Sequence, residues 1–182
     1  FAVAPGEILG IAGLMGSGRS RLLRLIYGLE RPDRGVVLMS GRSLGARRTP
    51  GSCVRAGFGL IPEDRKRQGL ALGRSILENV MMASWDRHVR LGLLWPGSGR
   101  AVVADMIDRL RIRCRDSNQP AGALSGGNQQ KVVLGRWLAR GSRVLLFDEP
   151  TRGVDVGARA EVYQRMADLA ADGHAIVMVS SD

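Results

Sequence analysis

Short apolar runs rich in β-branched residues recur along the chain, separated by stretches whose apolar positions repeat at helical spacing. The runs at 7–12, 36–39, 58–61, 143–147 and 175–179 predict strands, and the stretches at 19–27, 75–84, 100–110, 127–140 and 157–170 predict helices. In the last helix Val162, Met166 and Leu169 share one face, as in a helix laid against a core. Turn signals at Asp33 to Gly35, Ser40-Gly41 and Asp172-Gly173 punctuate the pattern. Strands alternating with helices imply an α/β layered fold. From about 73 to 124 the pattern turns helical with Gly/Pro interruptions, Trp95-Pro96-Gly97 among them. That predicts a small helical subdomain inserted within a single α/β domain spanning 1–182.

Composition narrows the reading. With 182 residues, 45% hydrophobic and 24% charged, the chain has ordinary globular usage, which excludes a disordered, collagen-like or disulfide-scaffold protein. Cys53 and Cys114 belong to no CxxC or Cys/His cluster and read as unpaired thiols of a reducing cytosol. No apolar run approaches the ~18–20 residues that span a bilayer, and no charged-then-apolar leader is evident, so the chain is expected to be soluble as it stands. It begins at Phe1 rather than Met and stops at Asp182 just after a strand-like run, which reads as part of a longer protein. The net charge is +10, and all but two of the 27 basic residues are arginine. Those arginines are dispersed and aromatics make up only 4%, so no polybasic, aromatic-laced nucleic-acid arm is expected. The positive field still attracts phosphates.

Three segments carry chemistry. Gly13-Leu14-Met15-Gly16-Ser17-Gly18-Arg19-Ser20 follows a predicted strand and opens a predicted helix. It matches the phosphate-loop pattern G-x-x-x-x-G-K-[ST] at every fixed position except lysine, replaced by Arg19. Glycines let successive amides curl around a polyphosphate, and the helix N-terminus adds partial positive charge. Ser20 offers a hydroxyl to Mg²⁺. Arg19, broad and planar where lysine is compact, binds phosphate oxygens but is a poorer stabiliser of a transferring phosphoryl group. Next, the apolar run 143–147 delivers Asp148 and Glu149 at a strand end, where open α/β sheets place their ligands. Asp148 suits a Mg²⁺ ligand and Glu149 a group that orients or deprotonates attacking water. Finally, Leu124-Ser125-Gly126-Gly127-Asn128-Gln129-Gln130-Lys131 precedes a helix; Ser125 resembles an N-cap, and the glycines allow an anion to approach the helix start.

Together these segments resemble the nucleotide-binding domain of ABC transporters, with its P-loop NTPase core, over nearly the whole chain. The likeness is greatest to the C-terminal ATP-binding half of tandem ATPases that drive bacterial ribose, galactose and xylose importers. The narrower likeness is carried by residues 13–21, Val54-Arg55-Ala56-Gly57, Pro62-Glu63-Asp64-Arg65-Lys66, 124–131 and Asp148-Glu149-Pro150-Thr151-Arg152-Gly153-Val154-Asp155-Val156-Gly157.

The resemblance implies that residues 13–21, ending at Arg21, bind ATP with Mg²⁺. Two such domains pair head to tail, so Ser125, Gly126, Gly127, Asn128 and Gln129 serve a nucleotide held by a second nucleotide-binding domain, the N-terminal half of the same polypeptide. Asp155 lies along the dimer seam. Permease subunits place the domain on the cytoplasmic face of the plasma membrane, and a solute-binding protein delivers the sugar. Three positions depart from the family pattern: Arg19 at the phosphate-loop lysine, Glu63 where a glutamine near Mg²⁺ is usual, and Ser181 at the switch histidine. All three fall on the chain's own nucleotide site, which is therefore expected to be the weaker of an asymmetric pair. The alternatives are a regulatory half that binds ATP without hydrolysing it, and an importer of nucleosides or another sugar-like solute.

Overall fold

The computed structural model describes residues 1–14, 16–90, 93–94, 98–152 and 156–181. The chain divides into two compact units, one formed by Phe1–Glu63 with Ser142–Asp182 and the other by Asp64–Gly141. The second unit contains the stretch 73–124 and extends past it at both ends. In chain order, the first unit begins with β1 (Ile8–Ala12), α1 (Arg19–Tyr27), β2 (Leu38–Met39), β3 (Arg42–Ser43), α2 (Pro50–Ala56) and β4 (Phe58–Ile61). The second holds α3 (Ile76–Met81), β5 (Val89–Arg90), β6 (Leu93–Leu94), α4 (Ser98–Arg109) and α5 (Gly126–Arg140). The first unit closes with β7 (Val144–Asp148), α6 (Val156–Ala171) and β8 (Ala175–Ser180). No helix among the described residues is long and apolar enough to cross a membrane.

The first unit is organised by a parallel sheet in the order β1-β8-β7-β4. Leu145, Leu146 and Phe147 of β7 are consecutive and buried, as are Ala175, Ile176 and Val177 of β8. Such unbroken apolar runs are what parallel strands covered on both faces require. Ile8 to Ala12, by contrast, alternates between exposed and half-buried positions. Register decides what the sheet presents. Ala12 pairs with Ser180, Asp148 with Val179, and Ile61 with Phe147. Strands in that register all finish at one edge, so Gly13, Glu149, Ser181 and the segment after Ile61 leave the sheet together.

The turn after α1 shows why glycine is needed there. Gly28 has φ +79, and its amide reaches back to the carbonyls of Arg24 and Leu25. A Cβ at this position would also lie 3.0 Å from the backbone carbon of Thr49. Arg48, nearly buried, donates from Nη2 to the Leu25 carbonyl at 2.5 Å and from Nε to that of Ile26 at 3.2 Å. A cation thus satisfies the carbonyl end of α1, where the helix dipole favours it.

The second unit packs α3, α4 and α5 around Ile76, Val80, Val103, Met106, Val132 and Val133. α3 starts on a capping box in which Ser75 Oγ accepts from the Glu78 amide and Glu78 accepts from the Ser75 amide. Asn79 is fully buried and every polar atom of its side chain is bonded: Nδ2 donates to the carbonyls of Ala71, Arg74 and Ser75, and Oδ1 accepts from the Ala71 amide. Arg136 of α5 donates to the Asn79 carbonyl at 2.8 Å, which ties α5 to α3.

Candidate functional site

Between β1 and α1 the chain turns through two glycines in the left-handed region, Gly16 at φ +83 and Gly18 at φ +88. Gly18 is the N-cap of α1, no side chain caps that helix, and its first turn carries no acid. The leading amides therefore face outward as donors at a positive helix end. The Ser17 amide donates to the Leu14 carbonyl at 3.1 Å, which curls the loop, and a Cβ on Gly13 would meet Ser17 Oγ at 3.0 Å. Leu14 is exposed. Met15 lies outside the described residues.

Asp148 ends β7 directly across from this loop. Ser20 Oγ donates to Asp148 Oδ1 at 2.7 Å, joining the first turn of α1 to the acidic strand end. Burial pushes the Asp148 carboxyl above the usual range, although the Ser20 hydroxyl pulls the other way. A hydroxyl and a carboxylate brought together are hard oxygen donors of the kind Mg²⁺ takes, and a cation there would reverse the cost of burying the charge. Among the described residues no three His, Cys, Asp or Glu side chains cluster as a metal cage.

Glu149 stands apart from its neighbour. Its φ is +47, unusual for a residue with a Cβ, and its amide donates to the Val179 carbonyl at 3.0 Å. Both carboxylate oxygens are engaged. Oε1 faces Arg19 Nη2 at 3.1 Å, with each side chain only 9% exposed. Oε2 accepts from the amide and the hydroxyl of Ser181, both at 3.0 Å. Arg19 Nη1 donates in turn to the Ser180 carbonyl. Arg19, Glu149 and Ser181, read in the sequence as separate features, thus form one network.

Two other expected residues are engaged by side chains outside this network. Arg21 donates to Glu30 at 2.8 Å on the exposed side of α1, and Arg24 donates to the same carboxylate at 2.7 Å. Glu63, expected near the cation, accepts from Arg152 Nη1.

The remaining expected residues belong to the second unit, at the start of α5. Ser125 stands at the N-cap position, but its hydroxyl does not cap the helix: it accepts from Asn128 Nδ2 at 2.9 Å. Ser125 is thus the N-cap residue its place in the sequence suggested, with its hydroxyl taken up by the Asn128 side chain. Asn128 Oδ1 accepts from the Arg113 amide at 2.8 Å, which fixes the side chain. Gly127 has open space where a Cβ would be, whereas at Gly126 a Cβ would come within 2.5 Å of Arg65 Nη2. Gln129 sits differently from its neighbours. Grouped in the sequence with the signature residues, it is buried, and its Nε2 donates to the carbonyls of Leu124 and Ala121. On a helix it falls on the face turned inward, so its side chain closes the turn before α5. Asp155 lies outside the described residues.

The closeness of Arg65 to Gly126 and the pairing of Arg152 with Glu63 were not read from the sequence. Both sit in quoted motifs, yet in a chain so rich in arginine nothing in the pattern separates them from surface charge. The sequence pattern that describes ABC transporters matches residues 1–152. The chain belongs to the ABC transporter family. Over 182 residues and 100% of its length it is 50% identical to the ribose import ATP-binding protein RbsA of Chromobacterium violaceum. It is 46% identical, again over its whole length, to a putative ribose/galactose/methyl galactoside import ATP-binding protein of Burkholderia cenocepacia. It spans 36% of each of these relatives, about a third of their length. Among solved structures, cbiO1 of Clostridium perfringens, part of the ABC transporter complex cbiONQ, superposes with TM-score 0.81 at 22% identity. That match covers 100% of this chain and 70% of the other. A bacterial ABC transporter cassette solved as a dimer gives 0.80 at 25% identity, covering 100% of this chain and 78% of the other. The α/β fold with a parallel sheet is therefore that of ABC ATPases.

Proposed function

We propose that this chain is the ATP-binding and ATP-hydrolysing module of a bacterial ABC importer that takes up a monosaccharide. Whole-length identity of 50% to a ribose import ATP-binding protein supports the transport role. The observation that carries the nucleotide role is the 2.7 Å bond from Ser20 Oγ to Asp148 Oδ1 at the foot of a glycine loop. In this reading the amides of Gly13, Leu14, Met15, Gly16, Ser17 and Gly18 bind the phosphates, and Arg19 and Arg21 add positive charge. Ser20 and Asp148 hold Mg²⁺, which when bound draws charge from the phosphoryl oxygens. Glu149 is the group that orients or deprotonates water.

Ser125, Gly126, Gly127 and Asn128 serve the nucleotide of a second nucleotide-binding domain, supplied by the N-terminal half of a tandem polypeptide, and Asp155 lies at the seam between the two. Gln129 supports that segment from within. Permease subunits hold the assembly on the cytoplasmic face of the plasma membrane, and a solute-binding protein feeds it.

The site built from residues 13–20 is the weaker of the pair, since it has arginine for lysine and serine for histidine. In the full-length protein, Ser125→Arg should abolish most turnover while Glu149→Gln leaves most of it. The reverse pattern would contradict the assignment. A second reading, a half that binds ATP without hydrolysing it, is favoured by the engagement of both Glu149 oxygens. Single-turnover assays separate the two, because a purely regulatory site returns intact ATP.

A further inference from the structure

Arg19 occupies the position from which a phosphate loop directs its cation at the β- and γ-phosphates. In this structure that cation is directed inward. One guanidinium nitrogen, Nη2, is 3.1 Å from Glu149 Oε1, and the other, Nη1, donates to the Ser180 carbonyl. Both side chains of the ion pair are 9% exposed, so water does little to screen it. Glu149 is fixed from its other side by the amide and hydroxyl of Ser181, each at 3.0 Å. The guanidinium therefore spans the ends of β7 and β8, and its planar fork suits two acceptors at once where an ammonium would not.

We propose that Arg19 and Glu149 form an internal lock that competes with the nucleotide's phosphates for the Arg19 guanidinium. A polyphosphate entering the loop at 13–18 gains that cation only by taking it from Glu149. Breaking the pair frees Glu149 on the side that faces Arg19, while Ser181 retains the other oxygen. Locked, the site has low affinity and its acid is neutralised; opened by phosphate, it has both a phosphate-binding cation and a free carboxylate oxygen. The lock thus gives a physical cause for a weak site that still carries an intact acidic strand end. It rests on the reading that the loop binds nucleotide.

The test uses the full-length protein and Mg–AMP-PNP, which is not hydrolysed. Hydrogen exchange of the segment 13–20 is followed against ligand concentration, so that affinity is read at this site alone. Glu149→Gln removes the charge that holds Arg19. Glu149→Asp keeps the charge but withdraws it by one methylene. If the lock competes with phosphate, each substitution tightens binding by roughly tenfold or more, the scale of a lost charge-assisted hydrogen bond. Tightening in Glu149→Gln alone would mean that Glu149 merely repels phosphate, and would overturn the lock. Tightening in neither, or in Glu149→Asp alone, would overturn it as well. If segment 13–20 gains no protection in any of the three proteins, the nucleotide reading itself fails and the lock with it.

Discussion

Asp148 and Glu149 are adjacent carboxylates placed in opposite circumstances. Glu149 bonds through both oxygens, and its left-handed backbone, at φ +47, costs on the order of 1 kcal/mol or more for a residue with a Cβ. Asp148 has one hydroxyl partner, and burial raises its carboxyl above the ordinary value. A raised folded-state value means that the protonated form is favoured on folding. Its contribution to stability is present below the unfolded value and is lost as pH rises through the folded one. Asp148→Asn should therefore melt higher than wild type at pH 7 without nucleotide, with the difference vanishing below the ordinary carboxyl range. Thermal melts across pH check this, and a lower melting temperature for the variant at pH 7 would refute it. Gly28 shows the opposite economy: a side chain there meets both an unfavourable φ and the Thr49 backbone. Gly28→Ala should cost about 1–3 kcal/mol in denaturant unfolding.

At the scale of elements, legibility in the sequence followed burial. β4, β7 and β8 were readable because short apolar runs are what doubly covered strands need, and the observed Phe58–Ile61 coincides with its expected range. The predicted strand at 36–39 is observed as Leu38–Met39, and it ends where expected because the chain turns at once through Ser40 and Gly41, both at positive φ, into β3. The predicted helix at 75–84 is observed as Ile76–Met81. α2 was missed because seven residues with only Cys53 buried give no periodic stripe. Its signal was local: Thr49, Pro50 and Ser52 make a capping box with proline in the first turn. Thr49→Ala should cost about 1 kcal/mol of stability, read by denaturant unfolding. The phosphate loop and acidic strand end were legible because their spacing is set by backbone geometry. The pairings of Arg19 and Arg152 were not, because they depend on where long side chains fold back. In the second unit, Arg136→Met should destabilise by about 2–4 kcal/mol, since it leaves the buried Asn79 carbonyl without that donor.

For the whole molecule, the two units divide between them the two segments proposed to meet phosphate. Loop 13–18, Asp148, Glu149 and Ser181 belong to one unit, and Ser125 to Asn128 belong to the other. An assembly in which each nucleotide needs one surface from each partner follows from the proposed family arrangement. The central claim is that residues 13–20 bind the triphosphate of ATP, and it can be tested without turnover. Gly18 has φ +88 and no heavy atom within 4 Å of its would-be Cβ, so Gly18→Asp fits the space with a residue that tolerates this backbone. It also sets a negative charge in the cradle. Calorimetric titration of the full-length protein with Mg–ATP should show one of two binding events lost in Gly18→Asp and the other retained. Superimposable isotherms for the wild-type and Gly18→Asp proteins would contradict the account.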